Sequence, residues 1–147
     1  MKNIAIVEGG YSHEKEISLK SAETVFQNID KKKFNPIKVR IDEEGWFALV
    51  EDDKIEINRN NFSFNNIQFD IVFIVIHGTP GEDGKLQAYF DMVNIPYTTC
   101  SQLAATLTFN KFVCNQFLKN FNINVADAVL IRKNEKINTS QIIGEVG

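Results

Sequence analysis

The sequence contains little cysteine, histidine or tryptophan: its 147 residues include two cysteines, two histidines and one tryptophan. Cys100 and Cys114 fall in different predicted elements, and neither has a neighbour at the spacing of a metal site. A reduced, cytoplasmic protein is the simplest interpretation of this cysteine content. The sequence also lacks a long apolar run and a basic, apolar leader, so we expect neither membrane insertion nor secretion.

An excess of basic charge is also missing, since 16 lysines and arginines stand against 19 aspartates and glutamates. The one basic run, 31–33, falls in a connection between a predicted helix and a predicted strand. A nucleic-acid surface would need basic residues spread over a face, so we predict a solvated turn and no nucleic-acid partner. The length fits one domain, or one domain with an appendage.

The apolar residues form an alternating order of strand-like and helix-like segments, which favours an α/β fold with a parallel sheet. The predicted strands cover residues 3–7, 37–41, 70–76, 97–99 and 125–132. The predicted helices are one capped by Ser12 that runs to about Ile29, one between Gly84 and Asn94, and two at 101–109 and 111–121. The apolar run at 70–76 is expected to be buried on both faces.

Three segments have weaker patterns. Pro36 precedes the strand at 37–41 and predicts an edge position, because proline cannot donate a ladder hydrogen bond. Residues 45–66 are polar and rich in asparagine, which predicts a hairpin or a short strand with a surface loop. The tail at 133–147 is polar and ends in a segment, 142–147, typical of a helix that is cut short.

Glycines and histidines cluster after the first strand and after the strand at 70–76. Five of the eight glycines lie there, together with both histidines: Gly9, Gly10, Gly78, Gly81, Gly84, His13 and His77. Ligands of open α/β sheets bind just outside the carboxyl ends of the strands, and glycine turns bring backbone N–H groups close to them. Neither turn has the dinucleotide-binding Gly-x-Gly-x-x-Gly pattern, and no P-loop is present.

Each polar residue of these turns also has an ordinary structural role. Glu14 could complement a helix dipole, His77 could bond to a turn backbone, and Lys111 could be a solvated lysine. Glu82 and Asp83 could serve turn and N-cap chemistry, which is the role we expect for Asp83. The joint appearance of these groups at two strand ends favours a functional site.

The segments 9–18 and 77–87 together closely resemble D-alanine–D-alanine ligases, which are ATP-grasp ligases. Further landmarks fall at 95–98 and 110–111, and the resemblance spans roughly residues 3–132 in order. It implies a Rossmann-like, mostly parallel sheet over residues 1–100, the pre-ATP-grasp domain, followed at 101–147 by the start of an ATP-grasp domain. These enzymes use ATP and Mg²⁺ to phosphorylate the carboxylate of one D-alanine. The amine of a second D-alanine then attacks the acyl phosphate, which yields the dipeptide for peptidoglycan.

The resemblance also implies roles for single residues. Glu14 would hold the ammonium of the first D-alanine, Ile17 would line the wall against its methyl group, and His77 would lie near its activated carboxyl. Lys111 would reach the ATP phosphates, although Asn110 stands before it where the family usually has aspartate. No magnesium ligand is implied in this chain. A homodimer formed through the N-terminal domain is also implied.

Enzymes of this family are considerably longer than this chain, so we expect residues 1–147 alone to be inactive. Two alternatives remain open at this point. The chain could be a non-catalytic α/β module that binds a small anion or a partner protein. It could also belong to an ATP-grasp ligase with another second substrate, such as D-lactate.

Overall fold

The structure, a computed structural model, describes residues 1–146, apart from the side chain of residue 141. The chain divides into two compact units, Met1–Thr106 and Leu107–Gly147, and each is described by itself below. Across the described part of the chain, every helix is too short or too polar to cross a bilayer.

The first unit is built on a five-stranded sheet. Its strands are β1 (Lys2–Gly9), β2 (Phe34–Asp42), β3 (Gly45–Val50), β4 (Asp53–Glu56), β5 (Ser63–Phe64), β6 (Ile67–Gln68) and β7 (Ile71–Ile74). Its helices are α1 (Lys15–Asn28) and α2 (Lys85–Met92), and α3 (Gln102–Phe109) begins in this unit. The sheet order is β4-β3-β2-β1-β7, while β5 and β6 form a separate two-stranded sheet.

The centre of the main sheet is parallel, because β1 pairs in parallel with both β2 and β7. The β3 and β4 strands extend it as antiparallel neighbours. This arrangement confirms the predicted α/β fold. Since β1 and β7 are adjacent and run in the same direction, the turns that follow them come out at the same edge of the sheet.

The sheet separates two apolar cores. Ile4 and Ile6 of β1 pack with Ala22 of α1. Val7 belongs to a larger core that includes Phe90 of α2 and the aromatic residues near β5 and β6. Successive strand residues alternate between the two faces, so the apolar run in β1 supplies both cores.

The prediction that Pro36 marks an edge strand is wrong, since β2 lies between β1 and β3. The Ile41 carbonyl accepts a hydrogen bond from Gly10 N at 2.7 Å, so the odd-numbered residues of β2 direct their backbone groups toward β1. Pro36 therefore directs its nitrogen toward β3, but that pairing ends at Lys38 opposite Leu49. Proline fits inside β2 because no strand lies opposite its nitrogen.

The strand predicted at 70–76 is shorter than expected, because β7 ends at Ile74. It is also buried mainly on one face: Val72, Ile74 and Ile76 are buried, whereas the alternate residues are half-buried. It is an edge strand of the sheet, and only an isolated bridge from Val72 to Tyr97 continues the pairing. Residues 97–99 therefore form no full strand.

Residues 45–66 contain more structure than the predicted hairpin or short strand with a surface loop. The β3–β4 hairpin is confirmed, and it is followed by the β5–β6 hairpin. Phe62 is completely buried, and its ring packs edge-on against the rings of Trp46 and Phe90 at centroid distances of 6.1 and 4.9 Å. The segment thus contributes Ile57, Phe62 and Phe64 to the larger core, while its asparagines stay exposed.

The second unit contains the rest of α3, together with α4 (Lys111–Lys119) and α5 (Thr139–Val146). Asn110 caps α4, since its Oδ1 accepts a hydrogen bond from Val113 N at 3.1 Å. The strand predicted at 125–132 is wrong, because the described residues of this unit contain no strand. An extended segment becomes a strand only when a neighbour pairs its backbone groups. The predicted terminal helix is confirmed through Val146, and Gly147 lies outside the described residues.

Candidate active site

The turn after β1 is held in place by three backbone contacts. Gly9 N donates to Ser18 Oγ at 3.0 Å, and Gly10 N donates to the Ile41 carbonyl at 2.7 Å. Tyr11 N donates to the Thr79 carbonyl at 3.0 Å. The first turn is therefore fixed to α1, to β2 and to the loop that follows β7.

Ser12 links the two loops instead of capping α1, so the predicted cap is wrong. The helix begins at Lys15, and Glu14 occupies the N-cap position without a side-chain cap bond. Ser12 Oγ accepts a hydrogen bond from Glu14 N at 3.2 Å and donates one to the His77 carbonyl at 2.8 Å. The Ser12 hydroxyl therefore donates its proton to a contact between the two loops.

Glu14 presents an exposed carboxylate beside the second loop. A Cβ atom built on Gly78 would lie 3.9 Å from Glu14 Oε2. Gly78 is buried and has a φ of +71°, and a Cβ atom there would lie only 2.9 Å from Ser12 Cβ, so the close approach of Ser12 requires glycine, whereas the Glu14 carboxylate lies at ordinary van der Waals distance. Within the described residues, the Glu14 carboxylate has no hydrogen-bond or ion-pair partner.

The cation that follows Glu14 is paired elsewhere. Lys15 Nζ lies 2.9 Å from Asp42 Oδ2 and 3.5 Å from Glu43 Oε2. The hydrogen bond to Asp42 raises the pKa of Lys15. Burial alone would raise the pKa of Asp42, but the hydrogen bonds from Lys15 and from Glu44 N outweigh it and lower this pKa. Asp42 therefore stays ionised and holds Lys15 at the end of β2.

His77 is half-buried at the start of the second loop. Its ring Nε2 lies 3.4 Å from Ser21 Oγ of α1, while its carbonyl accepts the hydrogen bond from Ser12. Two serines from the first segment thus hold the ring and the backbone of His77. Neither serine was singled out as a site residue from the sequence.

The second loop is closed by its own two carboxylates. Glu82 Oε2 accepts a hydrogen bond from Gly78 N at 2.8 Å. Asp83 accepts hydrogen bonds from Thr79 Oγ1 at 2.6 Å and from the Lys85 ammonium. Burial would raise the pKa of Asp83, but these bonds outweigh it and lower the pKa. Asp83 therefore has the structural turn role that the sequence predicts.

Gln87, a buried residue of α2, holds the same loop through its side-chain amide. It is 1% exposed, and its Nε2 donates to the Gly81 carbonyl at 2.7 Å and to Thr99 Oγ1 at 3.0 Å. Among the described residues, its Oε1 is the one buried side-chain polar atom without a hydrogen-bond partner. In the sequence, the feature that indicates burial of Gln87 is its position between Leu86 and Phe90, two apolar residues of the same helix that are themselves buried.

Ile17 and Lys111 complete the predicted set. Ile17 is 50% exposed on α1, one turn after Glu14, so it offers apolar surface beside the carboxylate. Lys111 is the first residue of α4 and is exposed, but it belongs to the second unit. The structure thus brings Glu14, Ile17 and the His77 loop together in the first unit.

The described residues provide no metal centre. Among residues 1–146, no group of three or more histidine, cysteine, aspartate or glutamate side chains is arranged to hold a metal ion. The carboxylates of the second loop are already occupied by Gly78 N, Thr79 and Lys85. The residues present therefore do not fit a Mg²⁺ site.

Among known proteins, this chain matches D-alanine–D-alanine ligases. The family model for the D-ala D-ala ligase N-terminus matches residues 3–100. A D-alanine–D-alanine ligase of Azobacteroides pseudotrichonymphae is 49% identical, and that of Bacteroides fragilis strain ATCC 25285 is 43% identical. These alignments cover 100% and 99% of this chain but 47% of each relative, so the chain spans about half the length of the relatives that it matches.

Solved structures show the same fold. D-alanyl-alanine synthetase A from Vibrio cholerae superimposes with a TM-score of 0.81 at 29% identity, covering 97% of this chain and 43% of that one. The VanG D-Ala:D-Ser ligase from Enterococcus faecalis gives 0.76 at 31% identity, covering 85% and 43%. Because the family model covers most of the chain and the two relatives match 99–100% of it, this chain belongs to the D-alanine–D-alanine ligase family.

Proposed function

We propose that this chain supplies the side of a D-alanine–D-alanine ligase that binds the first D-alanine. The observation that carries the proposal is the exposed Glu14 carboxylate, which has no partner among the described residues and lies against the His77–Gly78 loop. A small amino acid offers few groups for recognition, and its ammonium is the strongest of them. A carboxylate about 4 Å from an ammonium gains about 4 kcal/mol before desolvation, at an effective dielectric constant near 20.

The neighbouring residues take complementary roles in this proposal. Ile17 supplies apolar surface for the methyl group of D-alanine. His77 lies near the carboxyl group that is activated as an acyl phosphate. Acyl phosphate formation gathers negative charge, so a ring N–H and backbone donors suit this position.

ATP and the second D-alanine complete the proposed reaction. Lys111 is placed at the N-terminus of α4, where both its ammonium and the helix dipole favour a phosphate group. ATP supplies the phosphoryl group, and the amine of the second D-alanine displaces phosphate from the acyl phosphate. We assign residues 101–147 to the start of the ATP-grasp domain and residues 1–100 to the substrate-side domain. We further propose a cytoplasmic homodimer formed through residues 1–100.

The test uses the longest protein that carries this sequence, supplied with ATP, Mg²⁺ and D-alanine. We expect ADP release that depends on D-alanine, with D-alanyl-D-alanine as the product. D-Serine and D-lactate, offered together with D-alanine, test other second substrates. A folded protein that binds ATP but forms no dipeptide or depsipeptide would contradict the proposal. The 147-residue polypeptide alone serves as the control, for which we expect no turnover.

A further inference from the structure

The N-cap of α1 and one face of this helix carry three polar groups that lie beside the two loops. Glu14, Ser18 and Ser21 are spaced by four and then three residues, which places them on the same side of a helix. Glu14 lies beside Gly78, Ser18 holds the amide of Gly9, and Ser21 lies at the ring of His77. The orientation of this helix therefore sets all three contacts.

Among the described residues, the hydroxyl group of Ser21 has one hydrogen-bond partner, His77 Nε2. Serine and threonine in helices often donate to the carbonyl four residues earlier, and Thr24 does so to Lys20 at 3.0 Å. For Ser21, the hydrogen bonds of the described residues include only the 3.4 Å contact with His77 Nε2. If Nε2 carried the ring proton, it would occupy the serine oxygen and leave the hydroxyl proton without a protein acceptor. Donation from Ser21 to an unprotonated Nε2 satisfies both groups.

We propose that Ser21 is a positioning residue that holds neutral His77 in the Nδ1–H tautomer. Which nitrogen of a histidine carries the proton is set by the hydrogen bond made at the other nitrogen. The ring is half-buried, and the hydrogen bond from Ser12 to the His77 carbonyl fixes the backbone that carries it. A free histidine side chain prefers the other neutral tautomer, in which the proton is on Nε2.

The consequence for catalysis rests on the proposed function. In the Nδ1–H tautomer, the ring nitrogen that is not bonded to Ser21 is a donor. A donor suits an anionic oxygen of an amino-acid carboxylate or of its acyl phosphate, whereas a bare ring nitrogen would repel it. The class of ligand that His77 accepts is thus set through Ser21.

Long-range ¹H–¹⁵N NMR correlation on the full 147-residue chain tests the tautomer without any substrate. The chain has two histidines, so His13→Gln assigns the signals of His77. At about pH 8.5, where histidine rings are neutral, we expect Nδ1 to show the shift of a protonated nitrogen and Nε2 that of an unprotonated one. A wild-type spectrum with protonated Nε2 would overturn the proposal without any further variant.

Three variants test the role of the hydroxyl. Ser21→Ala should move the His77 tautomer ratio about three- to tenfold toward Nε2–H, the range expected for one neutral hydrogen bond. Ser21→Thr keeps the hydroxyl and should restore the wild-type ratio. Thr24→Ala removes the neighbouring hydroxyl, which bonds to Lys20 instead, and should leave the ratio unchanged. An unchanged ratio in Ser21→Ala would show that another group sets the tautomer. Because the spectrum needs no ligand, this result stands apart from any failure of the ligase assay.

Discussion

Lys15 Nζ lies 2.9 Å from Asp42 Oδ2, so the cation next to Glu14 in the sequence is held at the end of β2. Asp42 is buried and its pKa is lowered, so it remains a carboxylate in the folded protein although burial opposes the charge. The pairing leaves the Glu14 carboxylate available for a positive group from outside the chain. A carboxylate that must bind an ammonium benefits when the neighbouring lysine is kept occupied.

Replacing Asp42 should therefore weaken substrate binding at a distance. In the longest protein that carries this sequence, Asp42→Asn removes the nearer partner of Lys15 and leaves only Glu43 at 3.5 Å, so we expect the loosened ammonium to compete with the substrate for Glu14. We expect the KM for the first D-alanine to rise about two- to fivefold, the range of an exposed ion pair, with kcat little changed. Glu23→Gln is the matched control, because Glu23 lies on the same helix as Lys15 and its substitution breaks the 2.9 Å pair with Lys38 of β2. Equal KM values for Asp42→Asn and the control would contradict this role.

The lowered pKa values of Asp42 and Asp83 predict a loss of stability in acid. A depressed folded pKa gives stability that is present above the unfolded pKa, about 3.9, and is lost as the pH falls through the folded pKa. The free energy of unfolding, from urea titrations of the chain, should therefore fall as the pH drops below about 4. Asp42→Asn and Asp83→Asn should each make this fall shallower. A slope identical to wild type in both variants would contradict the assignment.

The raised pKa of Lys15 acts at the other end of the pH scale. Its stabilising contribution is complete below the unfolded pKa, about 10.4, and is lost as the pH rises through the folded pKa. In the same urea titrations, Asp42→Asn should reduce this alkaline loss, because it removes the nearer partner of Lys15 and leaves Glu43.

Gly9 is required by the close approach of the first turn to β2. Its φ is +102°, and a Cβ atom there would lie 2.5 Å from the Ile41 carbonyl oxygen, which is fixed backbone. We expect Gly9→Ala to destabilise the first unit by at least about 2 kcal/mol. The fluorescence of Trp46, the single tryptophan, reports this in urea unfolding.

Gly144 in α5 is the matched control, since a Cβ atom there would meet nothing within 4 Å. By far-UV circular dichroism, Gly144→Ala should leave helix stability unchanged or raise it by up to about 1 kcal/mol. A Gly9→Ala variant as stable as Gly144→Ala would show that the turn can relax.

Periodicity and turn residues predicted most of the first unit, because its elements are decided locally. Gly84 and Asn94 bracket α2 as expected. The wrong predictions concern segments whose structure depends on hydrogen bonding to a neighbouring strand. Pro36 lies in a central strand because β3 stops short of it, and residues 125–132 form no strand because the described residues of the second unit offer no partner.

The sequence singles out Glu14 and His77 as candidate site residues, but not the serines that contact them. Glu14 and His77 stand out in the sequence because each lies beside a glycine turn at the end of a predicted strand. Ser12 resembles a helix cap and Ser18 and Ser21 resemble ordinary helix residues. Their roles depend on contacts between segments, such as the 2.8 Å bond from Ser12 to the His77 carbonyl. Contacts of this kind are set by how α1 packs on the sheet, which a single sequence does not reveal.

The central claim is that Glu14 binds the ammonium of the first D-alanine. The most direct test is the D-alanine dependence of ADP release by the longest protein that carries this sequence, compared with Glu14→Gln and with Glu16→Gln, an exposed glutamate of the same helix. We predict that Glu14→Gln raises the KM for the first D-alanine about 10- to 150-fold, the loss of one hydrogen bond to a charged group, while Glu16→Gln behaves as wild type. An unchanged KM in Glu14→Gln would contradict the claim.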